Sequence, residues 1–122
     1  MQPTIMVNGG GWGAIARDSG GVVVLAAVGN LLNQSSALQT ESEALLQAIR
    51  LAELYGMGRV MFEMDCLSLQ QAVSSAGQDC GPLGVLFREA KHLLQIGFID
   101  HQVMYCPRLC NVPAHVLAAC GS

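Results

Sequence analysis

At 122 residues and 52% hydrophobic, the chain has the length for one domain, 1–122, and ample apolar material for a single core. Six basic residues against nine acidic give a net charge of −3, which excludes the clustered positive surface that drives strong phosphate-backbone binding. The longest apolar runs, such as 22–28, are too short to span a bilayer, and Met1-Gln-Pro-Thr4 opens no basic region followed by a long apolar stretch, so no membrane is expected and the protein reads as cytosolic or nuclear.

In chain order, 11–17 and 22–28 alternate like strands around Asp18-Ser-Gly-Gly21, whose turn chemistry predicts an antiparallel hairpin. A polar loop over 29–35 leads to a helix over 36–55, with Ser35 or Ser36 as its cap. A short apolar strand over 60–64 is followed by a helix over 66–73. Gly77-Gln-Asp-Cys-Gly-Pro82 then breaks the chain before an amphipathic helix over 83–94, whose Leu83, Leu86, Phe87, Ala90 and Leu94 share one side. A strand over 98–105 and a short helix over 112–119, begun by Asn111 and Pro113, complete the pattern. Hairpin, helix, strand, helices, strand, helix is a mixed α/β layout, with helices expected on both faces of a sheet.

Two acidic residues sit where a soluble domain gains little from them. The helix over 36–55 carries Leu38, Leu45, Ala48, Ile49 and Ala52 at spacings of three and four, which marks one face. Glu41 falls on that face, whereas Glu43, Gln47 and Arg50 fall on the polar side. Asp65 ends the strand 59–65, and the carboxyl end of a strand in an open α/β sheet is where ligands bind. Together the two carboxylates suit a divalent cation. A bland alternative stands beside each: Glu41 in the helix's first turn complementing the macrodipole, and Asp65 as N-cap of the next helix.

Five cysteines scattered among apolar neighbours suit reduced thiols better than a disulfide framework. Cys106, Cys110, His115 and Cys120 follow a C-x3-C-x4-H-x4-C spacing close to a zinc knuckle. On a helix over 112–119, however, His115 and Cys120 would point about 140° apart, at roughly 3.6 residues per turn. The segment also lacks the glycines of a tight metal-binding turn, so the chain is expected to fold without zinc.

Gly11-Trp-Gly-Ala-Ile-Ala-Arg-Asp-Ser-Gly-Gly21, Ala37-Leu-Gln-Thr-Glu41, Val60-Met-Phe-Glu-Met-Asp65 and Pro107-Arg-Leu-Cys-Asn-Val-Pro-Ala-His-Val-Leu-Ala118, in this order, resemble the ribonuclease H-like domains that plant genomes carry in retroelement-derived copies. The resemblance runs from Gly11 to Ala119. It implies an α/β fold with a mixed five-stranded sheet, three antiparallel strands first and parallel strands after them. It also implies hydrolysis of the RNA strand of an RNA–DNA hybrid by two Mg²⁺ ions. The family's ligands are an aspartate on the first strand, a glutamate on the long helix, an aspartate after the fourth strand and usually one on the last helix. Glu41 and Asp65 match the second and third. For the first, Ile5-Met-Val-Asn-Gly-Gly-Gly11 offers no acid, and Asn8 is the nearest candidate. For the fourth, His115 stands where an Ala-Asp-x-Leu-Ala pattern has its aspartate, and imidazole is a poor ligand for magnesium.

Two carboxylates leave too little negative charge for two Mg²⁺, so at most a weak single-ion site is expected. The resemblance then implies a degenerate enzyme with residual nucleic-acid binding, where Ser35, Ser36 and the start of the long helix would meet a phosphate unless the serines only cap. The competing reading is a non-catalytic protein-binding module, docking through the strand edge 22–28 or apolar surface on the helix 83–94. A third is an active nuclease whose first aspartate lies in chain not present here.

Overall fold

The computed structural model describes residues 3–8, 12–18, 20–29, 36–75, 81 and 83–106. Five strands form one sheet: β1 (Thr4–Asn8), β2 (Trp12–Arg17), β3 (Val23–Gly29), β4 (Arg59–Met64) and β5 (Asp100–Tyr105). Their spatial order is β3-β2-β1-β4-β5; β3, β2 and β1 pair antiparallel, and β1, β4 and β5 run parallel. Three helices connect or follow them: α1 (Ala37–Leu54), α2 (Leu67–Ser74) and α3 (Gly84–Gly97). No described helix is long and apolar enough to cross a membrane.

Turn chemistry closes the β2–β3 hairpin as the sequence predicts. Asp18 Oδ1 accepts from the N–H groups of Gly20 and Val22 at 2.9 and 3.0 Å, and Gly21 takes a φ of 84°, which glycine adopts without strain. Between Arg17↔Val23 and Ala16↔Leu25 the register slips, so Val24 bulges out of the pairing.

α1 has a strong stop as well as a cap. The Gly56 N–H donates to Glu53 and the Met57 N–H to Ala52, with Gly56 at φ 71°, the two-bond C-terminal motif in which a left-handed glycine satisfies the last carbonyls.

The register fixes where the core lies. Phe62 pairs with Ile5 and Val103, Ile5 with Ala16, and Val7 with both Met64 and Ala14, so these residues share one face. They are buried in one cluster with Leu45 and Ile49 of α1, Leu69 and Val73 of α2, and Ala90 and Leu94 of α3. All three described helices therefore pack on that face. Met6 and Ile15, on the other face, are buried as well. The helix expected over 112–119 lies outside the described residues.

Two boundaries differ from the sequence reading by more than one residue. α3 runs to Gly97 rather than stopping at 94, because Ile96 points to solvent and so leaves the apolar stripe before the helix itself ends. β5 begins at Asp100 rather than 98: Phe98 is the C-cap of α3, and its ring turns inward to meet Phe62 edge-on at 6.0 Å between centroids. The apolar side expected to make the helix over 83–94 a docking surface is spent on the core, where Ala90 and Leu94 are buried and Leu86, Phe87 and Leu93 pack against it. What α3 offers solvent is Val85 and Ile96, scattered singly.

Candidate functional site

β1 and β4 are neighbouring parallel strands in the middle of the sheet, so their carboxyl ends lie side by side. Val7 is paired with Met64, and the next residues of the two strands are Asn8 and Asp65. The backbone of Asn8, still paired with Gly13 of β2, therefore ends β1 beside the start of the Asp65 bend. A hydrogen bond of 2.7 Å from the Cys106 N–H to the Met64 carbonyl keeps β5 alongside up to the same level. The first-strand position is thus structurally complete, and three residues, 9–11, separate it from β2.

Glu41 approaches this end from above the sheet. α1 packs on β1 and β2, and its second turn brings Glu41 onto the side that carries the buried Leu45, Ala48, Ile49 and Ala52. Glu41 is half-buried, and its Oε2 is shut off from solvent. The bland alternatives offered by the sequence do not hold. The cap is Ser36 and the first turn carries no acid, so Glu41 lies beyond the reach of the helix-end dipole. The residue at the N-cap of α2 is Cys66, not Asp65.

Cys66 links the two acids. Burial pushes its thiol above the ordinary value, and the carboxylates of Glu41 and then Asp65 push it the same way, while the N–H of Leu69 at the start of α2 pulls it down. Both carboxylates thus act on one sulfur at the carboxyl end of the parallel strands. Sequence reasoning treated Cys66 as one of five ordinary thiols; its place directly after Asp65 was the signal that it borders the site.

Carboxylate oxygens such as those of Glu41 and Asp65 are the donor type that a hard divalent cation takes. Two carboxylates alone would be few for two such ions. A pair of divalent ions about 4 Å apart repels by roughly 4 kcal/mol at the dielectric of water and roughly 17 kcal/mol at an effective value near 20, and two carboxylates offset only part of that. Among the described residues, no three His, Cys, Asp or Glu side chains group closely enough to hold a metal. His115 lies outside the described residues, as do Cys110 and Cys120 of the knuckle-like spacing; Cys106 and Cys66 are not joined in a disulfide.

Of the two serines, Ser36 caps α1, its Oγ accepting from the Gln39 N–H at 3.1 Å while the Thr40 hydroxyl donates to the Ser36 carbonyl. Ser35 lies outside the described residues.

A family model described as "Reverse transcriptase-like" matches residues 7–121. No curated protein matches the sequence. Among solved structures, ribonuclease H1 of the halophilic archaeon Halobacterium salinarum NRC-1 superposes with a TM-score of 0.86 at 20% identity, over 99% of this chain and 97% of that one. LC11-RNase H1, solved with an RNA/DNA hybrid, gives 0.86 at 18% identity over 97% and 94%. The foamy viral protease-reverse transcriptase, also solved with a hybrid, gives 0.76 at 14% identity, with 98% of this chain matching 20% of that one. The described sheet and helices are thus those of a ribonuclease H fold.

Proposed function

The chain belongs to the reverse transcriptase-like family, and from that premise we propose that it is a ribonuclease H-like nucleic-acid-binding domain with a degenerate two-metal site, of the retroelement-derived kind carried by plant genomes. It binds RNA–DNA hybrid weakly and cleaves it little or not at all. One observation carries the reading: the backbone places Asn8, an amide and not an acid, at the end of β1 next to Asp65. Supporting it, the hybrid-bound proteins of the same fold pair that fold with this ligand class. Glu41 and Asp65 would hold a single Mg²⁺, whose chemistry when bound is to neutralise and anchor a phosphate oxygen. His115, standing in for the last-helix aspartate of the family pattern, adds no oxygen ligand. Ser36 holds the Gln39 N–H as the cap of α1, and the remaining N–H groups of that first turn would face a backbone phosphate.

The test incubates the purified chain with a labelled hybrid and Mg²⁺ or Mn²⁺. Little or no cleavage is expected. Cleavage that Glu41→Gln or Asp65→Asn abolishes would show an intact catalytic centre and overturn the degenerate reading.

A further inference from the structure

Ile99, Leu54, Ile96 and Tyr55 are 61% to 81% exposed, and the first two are the most exposed large apolar residues of the described chain. They lie together. α1 ends at Leu54 and Tyr55, and α3 runs out through Ile96 toward Ile99. Two contacts close the space between these ends: the Glu53 carboxylate stands 3.1 Å from where a side chain on Gly97 would begin, and Ile99 Cδ1 lies 3.4 Å from the same point on Gly58. The Ile99 N–H also donates to the Gly58 carbonyl at 2.7 Å. Ile96, single on its own helix, thus joins an apolar patch built from three segments.

The patch is at the opposite pole from the acidic end of the sheet. Leu54 lies roughly 20 Å from Glu41 along α1, at 1.5 Å per residue, and Gly58 stands just before β4, whose other end leads into Asp65. Four large side chains this exposed present on the order of 500 Å², the size at which a patch on a monomer marks an interaction site. With its polar rim, such a patch reaches the roughly 800 Å² that each partner buries in a standard dimer contact.

The rim selects the partner. Arg59 and Asp100 directly follow Gly58 and Ile99, are register partners and are both exposed, yet they form no ion pair among the described residues. Opposite charges side by side at the border of an apolar patch are self-complementary, because a two-fold axis brings each to its opposite on an identical surface. A nucleic acid or a uniformly charged protein would leave one of the two facing its own sign.

We propose that this pole is the interface of a two-fold dimer of this chain, in which Leu54, Tyr55, Ile96 and Ile99 of two copies meet at the centre and Arg59 of each copy reaches Asp100 of the other. The Glu41 and Asp65 ends then point outward and stay open, so the proposal is independent of their fate.

Sedimentation velocity of the intact chain over a concentration series tests it, with circular dichroism checking the fold of each variant. A monomer–dimer equilibrium on the order of micromolar is expected. Leu54→Arg and Ile99→Arg, both at exposed positions, bring like charges together near the axis and should each weaken it about tenfold or more. Arg59→Asp alone and Asp100→Arg alone should each weaken self-association about tenfold, because every pair between the copies becomes repulsive. An equimolar mixture of those two variants should dimerise again, since each reversed residue then meets its opposite on the other chain. A role within one chain could not produce that recovery. A chain that stays monomeric throughout, association indifferent to Leu54→Arg and Ile99→Arg, or a mixture no better than its components would overturn the assignment.

Discussion

In the proposed reading, Asn8 stands at the end of β1 where the family pattern carries an aspartate, and Cys66 directly follows Asp65. An amide oxygen can coordinate a cation but carries no charge, so an amide in place of an acid would give one full unit less attraction where two divalent ions would have to be held. At Cys66 the consequence is measurable by thiol chemistry. Because the thiolate is the nucleophile, a thiol pushed up by burial and by Glu41 and Asp65 should alkylate more slowly than free cysteine at mildly alkaline pH. Glu41→Gln and Asp65→Asn should each speed alkylation at Cys66, followed by peptide mass spectrometry; no change in either variant would place the carboxylates too far away to act. The linkage sign follows from the same shift. The folded thiol holds its proton more tightly, so its contribution to stability is present at neutral pH and is lost as pH rises from the unfolded thiol's value through the raised folded one.

At the scale of elements, α1 carries the most weight, since it positions Glu41 and buries Leu45, Ala48, Ile49 and Ala52 completely. Ser36→Ala should cost about 1 kcal/mol by leaving the Gln39 N–H without its side-chain acceptor, and Ser36→Asp should restore most of it, read by chemical denaturation. The two edges of the sheet are both managed. On β5 the Gln70 amide occupies the Val103 carbonyl, and on β3 the bulge at Val24 bends the strand, so addition of a foreign strand over 22–28 meets a distorted ladder. Most of these elements were legible in the sequence, because periods of 3.6 and 2 and the Asp18 turn chemistry are local signals. β1 was not legible in that way. Its Thr-Ile-Met-Val-Asn is buried at Ile5, Met6 and Val7 alike, being a central strand, and so shows no alternation to read. The strand followed only from the family likeness. Glu41 and Asp65 stood out because they interrupt apolar patterns. The place of Asn8 beside Asp65 depends on a parallel pairing between residues more than fifty positions apart, which no local pattern encodes.

For the whole molecule, charge sets the terms of binding. Six basic residues spread along a chain of net charge −3 can neutralise only a few phosphates, so affinity for a hybrid duplex should be weak and nearly gone by roughly 0.2 M salt. Fluorescence anisotropy across a salt series checks this, and nanomolar binding that resists salt would contradict it. The central claim is that the ribonuclease H fold is intact here and its chemistry is lost through ligand replacement. The most direct measurement is therefore a restoration: hybrid cleavage in Mg²⁺ by the wild type, by Asn8→Asp, and by Asn8→Asp combined with His115→Asp. The account predicts no appreciable cleavage by the wild type and a measurable rate in the double variant, abolished again by Asp65→Asn. A wild type that already cleaves through Asp65, or a folded double variant that remains inert, would contradict it.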